Sequence, residues 1–169
     1  MSEKNRSQDR SIHIFTEKFS EGGWLTFKVL KLMQIPGEEW YYLVQSPQGN
    51  RLLMPSRFYH GYQIRIGEPL ECRIDKINCS GKIFLEPAHP YFKPGELYSF
   101  EAVSREVQCD RKGRSFLRYE LSCGFREAVY ARFPEGFDIM PPAALKARLI
   151  RIRKGVLLLD EPEVINNCS

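Results

Sequence analysis

The fold is decided by a stretch of sequence that occurs twice. Residues 70–77, LECRIDKI, and residues 145–152, LKARLIRI, share one alternation of apolar and other side chains at an offset of 75 positions. Gly81 and Gly155 follow the two copies, and each opens another short apolar run. Alternation with a period of two is the pattern of β-strands, so each copy predicts a strand, a turn and a second strand.

The repeat also extends toward the N-terminus of each copy. Apolar positions of one strand match those of another at an offset of 73: Leu25, Phe27 and Val29 with Tyr98, Phe100 and Ala102. A repeat this long, with matched turns, predicts two copies of one fold, and chance similarity between alternating strands is the alternative. Residues 89–95, HPYFKPG, would then be a linker whose prolines favour a preferred orientation of the two units.

Each copy contains three short strands, an irregular or helical link, and two more strands. Five strands with a link between the third and the fourth are the plan of the OB-fold barrel. We therefore predict an all-β protein with two tandem five-stranded OB-like barrels after a flexible N-terminal tail. The predicted units are a tail over residues 1–21, a first barrel over residues 22–90 and a second, divergent barrel over residues 95–165.

Composition narrows the class of protein without indicating a partner. The 169 residues are 43% hydrophobic and 27% charged, and no apolar run is long enough to span a membrane. The polar N-terminus has no apolar signal-peptide core, so we expect a cytoplasmic protein with no membrane partner. The net charge of +4 is too small to indicate a nucleic-acid partner by itself.

The sequence contains no recognisable catalytic or metal-binding motif. Its five cysteines form no CxxC pair, and its three histidines lie far apart, so we predict no metal, no cofactor and no disulfide framework. A glycine-rich phosphate loop, G-x-S-x-G and H-E-x-x-H are all missing from the sequence. We therefore predict that the protein is not an enzyme.

One half of the first copy resembles a known family. Residues 67–78, GEPLECRIDKIN, followed by residues 82–85, KIFL, are similar to the last two strands of the S-one RNA-binding domain, a member of the OB class. Asn78 stands where that family usually has aspartate, and both residues form turns. Leu52 and Leu53 fall on the leucine-valine of its third strand, whereas the second copy is less similar. The resemblance implies binding of single-stranded RNA.

OB barrels bind single strands on the outer face of their second and third strands, where aromatic rings stack on bases and cations contact phosphates. We place Trp40 and Tyr42 on that outward face, although the opposite phase, with Tyr41 and Leu43 outward, stays open. Phe116 and Arg118 of the second copy, each 76 positions further along the chain, repeat this arrangement. The predicted nucleic-acid-binding residues are Lys28, Trp40, Tyr42, Arg51, Arg57, Lys112, Arg114, Phe116 and Arg118.

Two functions are compatible with these observations. The first is non-enzymatic binding of single-stranded nucleic acid, RNA in preference to DNA, as an accessory module of a larger nucleic-acid-processing system. The alternative is a protein-interaction adaptor built on the same barrels. In that case Tyr91, Phe92 and Tyr98 would form an exposed surface for a protein partner.

Overall fold

The first half of the protein is a five-stranded antiparallel sheet. The computed structural model describes residues 18–124 and 127–165. The strands are β1 (Trp24–Gln34), β2 (Trp40–Gln45), β3 (Arg51–Pro55), β4 (Pro69–Ile77) and β5 (Ile83–Pro87). Their order in the sheet is β3-β2-β1-β4-β5, and two short 3-10 turns, Ser56–Phe58 and His60–Tyr62, connect β3 to β4.

The second half repeats this plan and closes it into a ring. Its strands are β6 (Leu97–Cys109), β7 (Ser115–Ser122), β8 (Val129–Arg132), β9 (Ala143–Arg153), β10 (Val156–Leu159) and β11 (Glu163–Ile165). Strand β10 pairs with β9 and, in parallel, with β8, so that β6, β7, β8, β10 and β9 form a closed barrel. The predicted fold class, two tandem OB-like barrels, is confirmed. Strand β11 is an additional strand that the sequence did not predict, and it pairs with β9.

Strand registers show which residues of the two barrels are equivalent. Leu25 faces Cys72 across β1 and β4, and Tyr98 faces Ala147 across β6 and β9, which confirms the offsets of 73 and 75. In the second strand of each barrel the offset differs. Tyr42 faces Met54 across β2 and β3, whereas Tyr119 faces Ala131 across β7 and β8, so the true offset there is 77. The predicted offset of 76 is one residue short.

Each barrel has its own hydrophobic core. The first is formed by fully buried side chains from all five strands and the turn after β3: Phe27, Val29, Val44, Met54, Tyr59, Cys72, Ile74 and Leu85. The second contains Phe92, Phe100, Tyr119 and Leu121, together with aliphatic side chains from β8, β9 and β10. Among the described residues no helix is long and apolar enough to cross a membrane.

The aromatic residues of the segment between the barrels pack against the second core. Phe92 is 2% exposed and belongs to the second core, and Tyr91 and Tyr98 pack against that core. These three rings therefore do not form the exposed surface that the sequence predicted, because Phe92 is buried and Tyr91 and Tyr98 are half-buried against the same core. His89 Nδ1 accepts hydrogen bonds from the backbone N–H groups of Tyr91 and Phe92, both at 3.1 Å.

The barrels touch along a contact that we call the seam, formed by Asp75 and Glu86 of the first barrel and the β9–β10 hairpin of the second. The Glu86 carboxylate accepts hydrogen bonds from the backbone N–H groups of Lys154 at 2.6 Å and Gly155 at 3.1 Å. Asp75 forms ion pairs with Arg151 at 3.4 Å and with another hairpin arginine at 3.6 Å. Buried hydrogen bonds between the barrels fix the hairpin against the first barrel.

The predicted tail over residues 1–21 falls mostly on residues 1–17, which lie outside the described residues. At its C-terminal end, Glu21 accepts a hydrogen bond from the backbone N–H of Ile77 at 2.7 Å. The last residue of the predicted tail therefore contacts the first barrel.

Candidate nucleic-acid interface

The outer face of β7 carries the polar side chains of that strand. Tyr119 and Leu121 are fully buried in the core, which places Phe116, Arg118 and Glu120 on the opposite face of the strand. The prediction that Phe116 and Arg118 share one outward face is therefore correct.

Two arginine side chains lie over aromatic rings on this face. The guanidinium carbon of Arg132 is 3.7 Å from the centroid of the Phe116 ring, and that of Arg118 is 4.2 Å from the centroid of the Tyr130 ring. Ala131 of β8 is buried, so Tyr130 and Arg132 both face outward beside β7. We call the four residues Phe116, Arg118, Tyr130 and Arg132 the β7–β8 face.

Two carboxylates, Glu106 and Glu120, lie beside the arginines of the β7–β8 face, and only Arg118 is paired with one of them. Arg118 donates from Nε to Glu106 Oε1 of the neighbouring strand at 2.8 Å, while its guanidinium also lies over Tyr130. Arg132 forms no ion pair with any residue in the described part of the chain. Tyr130 is 46% exposed, so its ring is open to solvent. Exposed rings and guanidinium planes are the groups on which nucleic-acid bases stack.

A cleft of about 580 Å³ opens beside this face. Its lining includes Phe116 and Arg132, the side chains of Asp110 and Arg114 from the β6–β7 hairpin, and residues 133–138 after β8. The cleft therefore places Arg114 of the hairpin next to Phe116 and Arg132, in a lining that also contains Asp110, Glu135 and Asp138.

The β6–β7 hairpin is organised by one carboxylate. Asp110 Oδ1 accepts hydrogen bonds from the backbone N–H groups of Lys112 at 2.8 Å and Arg114 at 2.9 Å. These bonds, that from Arg114 above all, hold the pKa of Asp110 below its usual range. Arg114 also pairs with Asp110 through its side chain, yet 75% of that side chain is exposed. The hairpin thus presents the cations of Lys112 and Arg114 to solvent.

The first barrel has the opposite strand phase from the one predicted. Tyr42 packs against the core because it faces Met54, which is fully buried, whereas Tyr41 and Leu43 face outward. Trp40 lies at the beginning of β2 and is 49% exposed. Trp40 and Tyr42 do not form a shared stacking platform, because a slip of one residue exchanges the two faces of a strand.

The remaining predicted cations lie in two separate places. Lys28 and Arg51 are exposed in one row across β1, β2 and β3, on either side of Gln45. Arg57 lies near the seam, where it forms an ion pair with Glu39 at 2.9 Å. Of the nine predicted residues, the structure brings Arg114, Phe116 and Arg118 to the β7–β8 face and the cleft, and Lys112 lies in the same hairpin as Arg114.

Sequence reasoning missed Tyr130 and Arg132. They form an aromatic and a cation two positions apart, as do Phe116 and Arg118, so the same spacing rule could have found them. Their strand, β8, has only four residues, which is too short to show an alternating pattern.

No protein-family model matches the chain, and the search of curated proteins found no match. Among residues 18–124 and 127–165, no group of three or more metal-ligating side chains could hold a metal ion. Any function must therefore be argued from the arrangement of side chains.

Proposed function

We propose that the protein binds single-stranded nucleic acid without catalysing a reaction, and that the β7–β8 face is the main contact surface. One observation carries the proposal: two arginine–ring pairs lie side by side on the outer face of a barrel, next to a cleft. Strands equivalent to β7 and β8 are those on which OB barrels bind single strands.

Each group on this face has a defined part in the proposed binding. Phe116 and Tyr130 would stack on bases, for which each contact contributes about 1–3 kcal/mol. Arg118 and Arg132 would extend the stacked surface and supply positive charge. Lys112 and Arg114, at the edge of the cleft, would contact phosphates.

The resemblance to the S-one RNA-binding domain is the reason for proposing RNA in preference to DNA. In the structure, Asn78 Oδ1 accepts hydrogen bonds from the backbone N–H groups of Ser80 at 3.0 Å and Lys82 at 2.8 Å, which suits the turn role of the aspartate in that family. Lys28 and Arg51 would supply a weaker electrostatic contact on the first barrel. An accessory role in a larger nucleic-acid-processing system, in the cytoplasm, completes the proposal.

A salt titration with labelled oligonucleotides tests it. We expect the full chain to bind single-stranded RNA and DNA with an affinity that falls steeply with salt, because phosphate contacts release counterions. Phe116→Ala should weaken binding roughly tenfold or more. Phe84→Ala is the control, because Phe84 is also an exposed ring, with Lys82 Nζ 5.2 Å from its centroid, but lies on β5. No binding of the wild-type chain at low ionic strength would end the proposal.

One observation favours the alternative of a protein-interaction adaptor. The outer face of β2 and β3 is apolar: Leu43 faces Leu53, and Leu53 is 38% exposed. Exposed apolar patches mark protein contacts more often than nucleic-acid contacts. The oligonucleotide titration separates the two functions, because an adaptor would bind neither RNA nor DNA even at low salt.

A further inference from the structure

Cations from both barrels meet at the seam around one aromatic ring. The guanidinium carbon of Arg57 is 4.5 Å from the centroid of the Phe58 ring, and Lys154 Nζ is 5.5 Å from it. Arg153, next to Lys154, also lies at the seam, through its contact with Asp75. Arg111, at the tip of the β6–β7 hairpin, is close enough to act electrostatically on Lys154. We call Arg57, Arg111, Arg153 and Lys154 the seam cluster.

The carboxylates near the seam cluster are already engaged. Asp75 contacts Arg73 at 2.5 Å in addition to the two arginines of the β9–β10 hairpin, so one carboxylate faces three guanidinium groups. Glu86 is 3% exposed, and both of its oxygens accept hydrogen bonds from backbone N–H groups. Within the described part of the chain, neither Lys154 nor Arg111 forms an ion pair. Arg57 is paired with Glu39 at 2.9 Å, so the excess positive charge of the cluster lies on Lys154 and Arg111.

The electrostatics of Lys154 reflect this excess. Its pKa is lowered, first by partial burial and then by the positive charges of Arg111, Arg153 and Arg57, against which Asp75 acts only weakly. An anion placed among these cations would relieve their mutual repulsion. Arg111 belongs to the same hairpin as Asp110 and Arg114, which line the cleft, and its positive charge acts on Lys154 at the seam.

We propose that the seam cluster binds phosphate groups of the same single strand that the β7–β8 face binds, so that one strand runs from the cleft past the β6–β7 hairpin to the junction of the barrels. This inference rests on the proposed function, because it extends the path of the same ligand. Phosphates suit the cluster because it combines guanidinium and ammonium donors from three separate segments without a free carboxylate. The ring of Phe58 holds the cations of Arg57 and Lys154 close to each other.

Oligonucleotide length separates the seam from the β7–β8 face. Single-stranded RNAs of about 4 and about 12 nucleotides both lie within the range of site sizes of OB barrels, the first at its lower end. The short RNA would occupy the cleft alone, and the long one would also reach the seam. The variants are Lys154→Asn and Arg111→Gln, with Lys146→Gln as the control, because Lys146 is an exposed cation on β9 outside both sites.

Lys154→Asn is chosen because it removes the charge without straining the fold. Lys154 and Gly155 form a two-residue hairpin turn with φ of +50° and +73°. Asparagine followed by glycine is the preferred pair in such turns, so the thermal midpoint of unfolding should stay the same or rise. A loss of affinity in this variant therefore cannot come from unfolding.

For the long RNA, each seam variant should weaken binding several-fold and lower the slope of log K against log salt by about 0.7 per lost phosphate contact. The seam variants should bind the short RNA as the wild type does, and Lys146→Gln should leave the affinity for both RNAs unchanged. If the seam variants bind the long RNA as the wild type does, or lose affinity for both lengths equally, the inference is wrong and the proposed function stands. If the wild type binds no RNA or DNA, the proposed function fails first.

Discussion

The two barrels share five equivalent strands but present different chemistry on equivalent outer faces. Tyr41, Leu43, Leu53 and Pro55 occupy the face of β2 and β3 in the first barrel. With the offset of 77, the same four positions in the second barrel hold Arg118, Glu120, Tyr130 and Arg132. One face is mainly apolar, and the other combines rings and charges.

The inward positions of the two barrels differ much less. Tyr42 and Tyr119 are equivalent, as are Val44 and Leu121, and all four pack on a core. Packing requires apolar side chains of suitable size at these positions, whereas the outer positions are free to vary. The inward residues therefore maintain the same fold in both barrels, and any difference in what the barrels bind must come from the outward residues.

The largest expected effect concerns the glycines of the two equivalent hairpins. A Cβ atom on Gly155 would lie 2.5 Å from the carbonyl oxygen of Phe58, whereas a Cβ atom on Gly81 would meet open space. Both glycines have positive φ, +73° and +80°. Gly155→Ala should therefore cost about 2–4 kcal/mol of unfolding free energy and Gly81→Ala about 1 kcal/mol. Urea denaturation measures both, and equal losses would show that the close approach of Gly155 to Phe58 adds no cost.

The next effect tests the contrast between the outer faces directly. Tyr130→Ala should weaken RNA binding by about 1–3 kcal/mol, because it removes a stacking ring and the support of Arg118. Leu53→Ala, at the equivalent position of the first barrel, should leave the affinity unchanged. Fluorescence anisotropy with a labelled single-stranded RNA measures both. A larger loss in Leu53→Ala would move the binding surface to the first barrel.

The pH dependence of stability tests the burial of Glu86. Burial raises the pKa of Glu86 above its ordinary value, although hydrogen bonds from Gly155, Lys154 and Tyr59 oppose the rise. The folded protein therefore holds this proton more tightly than the unfolded chain does. Its contribution to stability is present below the unfolded pKa and is lost as pH rises through the folded pKa.

Glu86→Gln should abolish this loss. The difference in unfolding free energy between the wild type and the variant should then change with pH over that window, in the direction of a relatively less stable wild type at higher pH. Asp160→Asn is a suitable control because Asp160 occupies the equivalent position beside β9 of the second barrel, where it accepts a hydrogen bond from the backbone N–H of Arg148 at 2.8 Å. A difference that is constant across the window contradicts the assignment.

The smallest effect concerns the turn of the β4–β5 hairpin. Asn78→Ala removes the side-chain acceptor for two backbone N–H groups and should cost about 1 kcal/mol of unfolding free energy. Asn78→Asp retains an acceptor and should cost less. Thermal denaturation of the two variants measures the difference. If the two variants lose the same unfolding free energy, Asn78 does not have the turn role that the S-one resemblance implies.

The sequence predicted the fold because the repeat involves residues that every copy must bury. The offsets of 73 and 75 followed from strands β1, β4, β6 and β9, which are long and regularly alternating. Strand β2 begins with three consecutive aromatic residues, Trp40, Tyr41 and Tyr42, so hydrophobicity alone could not distinguish its two faces. An error of one residue in the offset then exchanged those faces.

The seam could not have been predicted by the same reasoning. Contacts such as that between Glu86 and the backbone of Lys154 join residues 68 positions apart and depend on how the two barrels are oriented. Charge counts gave no sign of the seam cluster either, because the cations that form it come from three segments of a chain whose net charge is only +4. Local patterns determine strands, whereas the relative placement of barrels is a tertiary property.

The aromatic rings between the barrels have one more consequence. Ring centroids of Tyr59, Tyr62, His89 and Phe92 follow one another at 5.1, 4.7 and 4.9 Å, so an unbroken row of rings leads from the first core into the second. Neither core can be opened without uncovering rings that shield the other. Because the two cores share this boundary, we expect the barrels to unfold together, so that calorimetry records one endothermic peak in place of two.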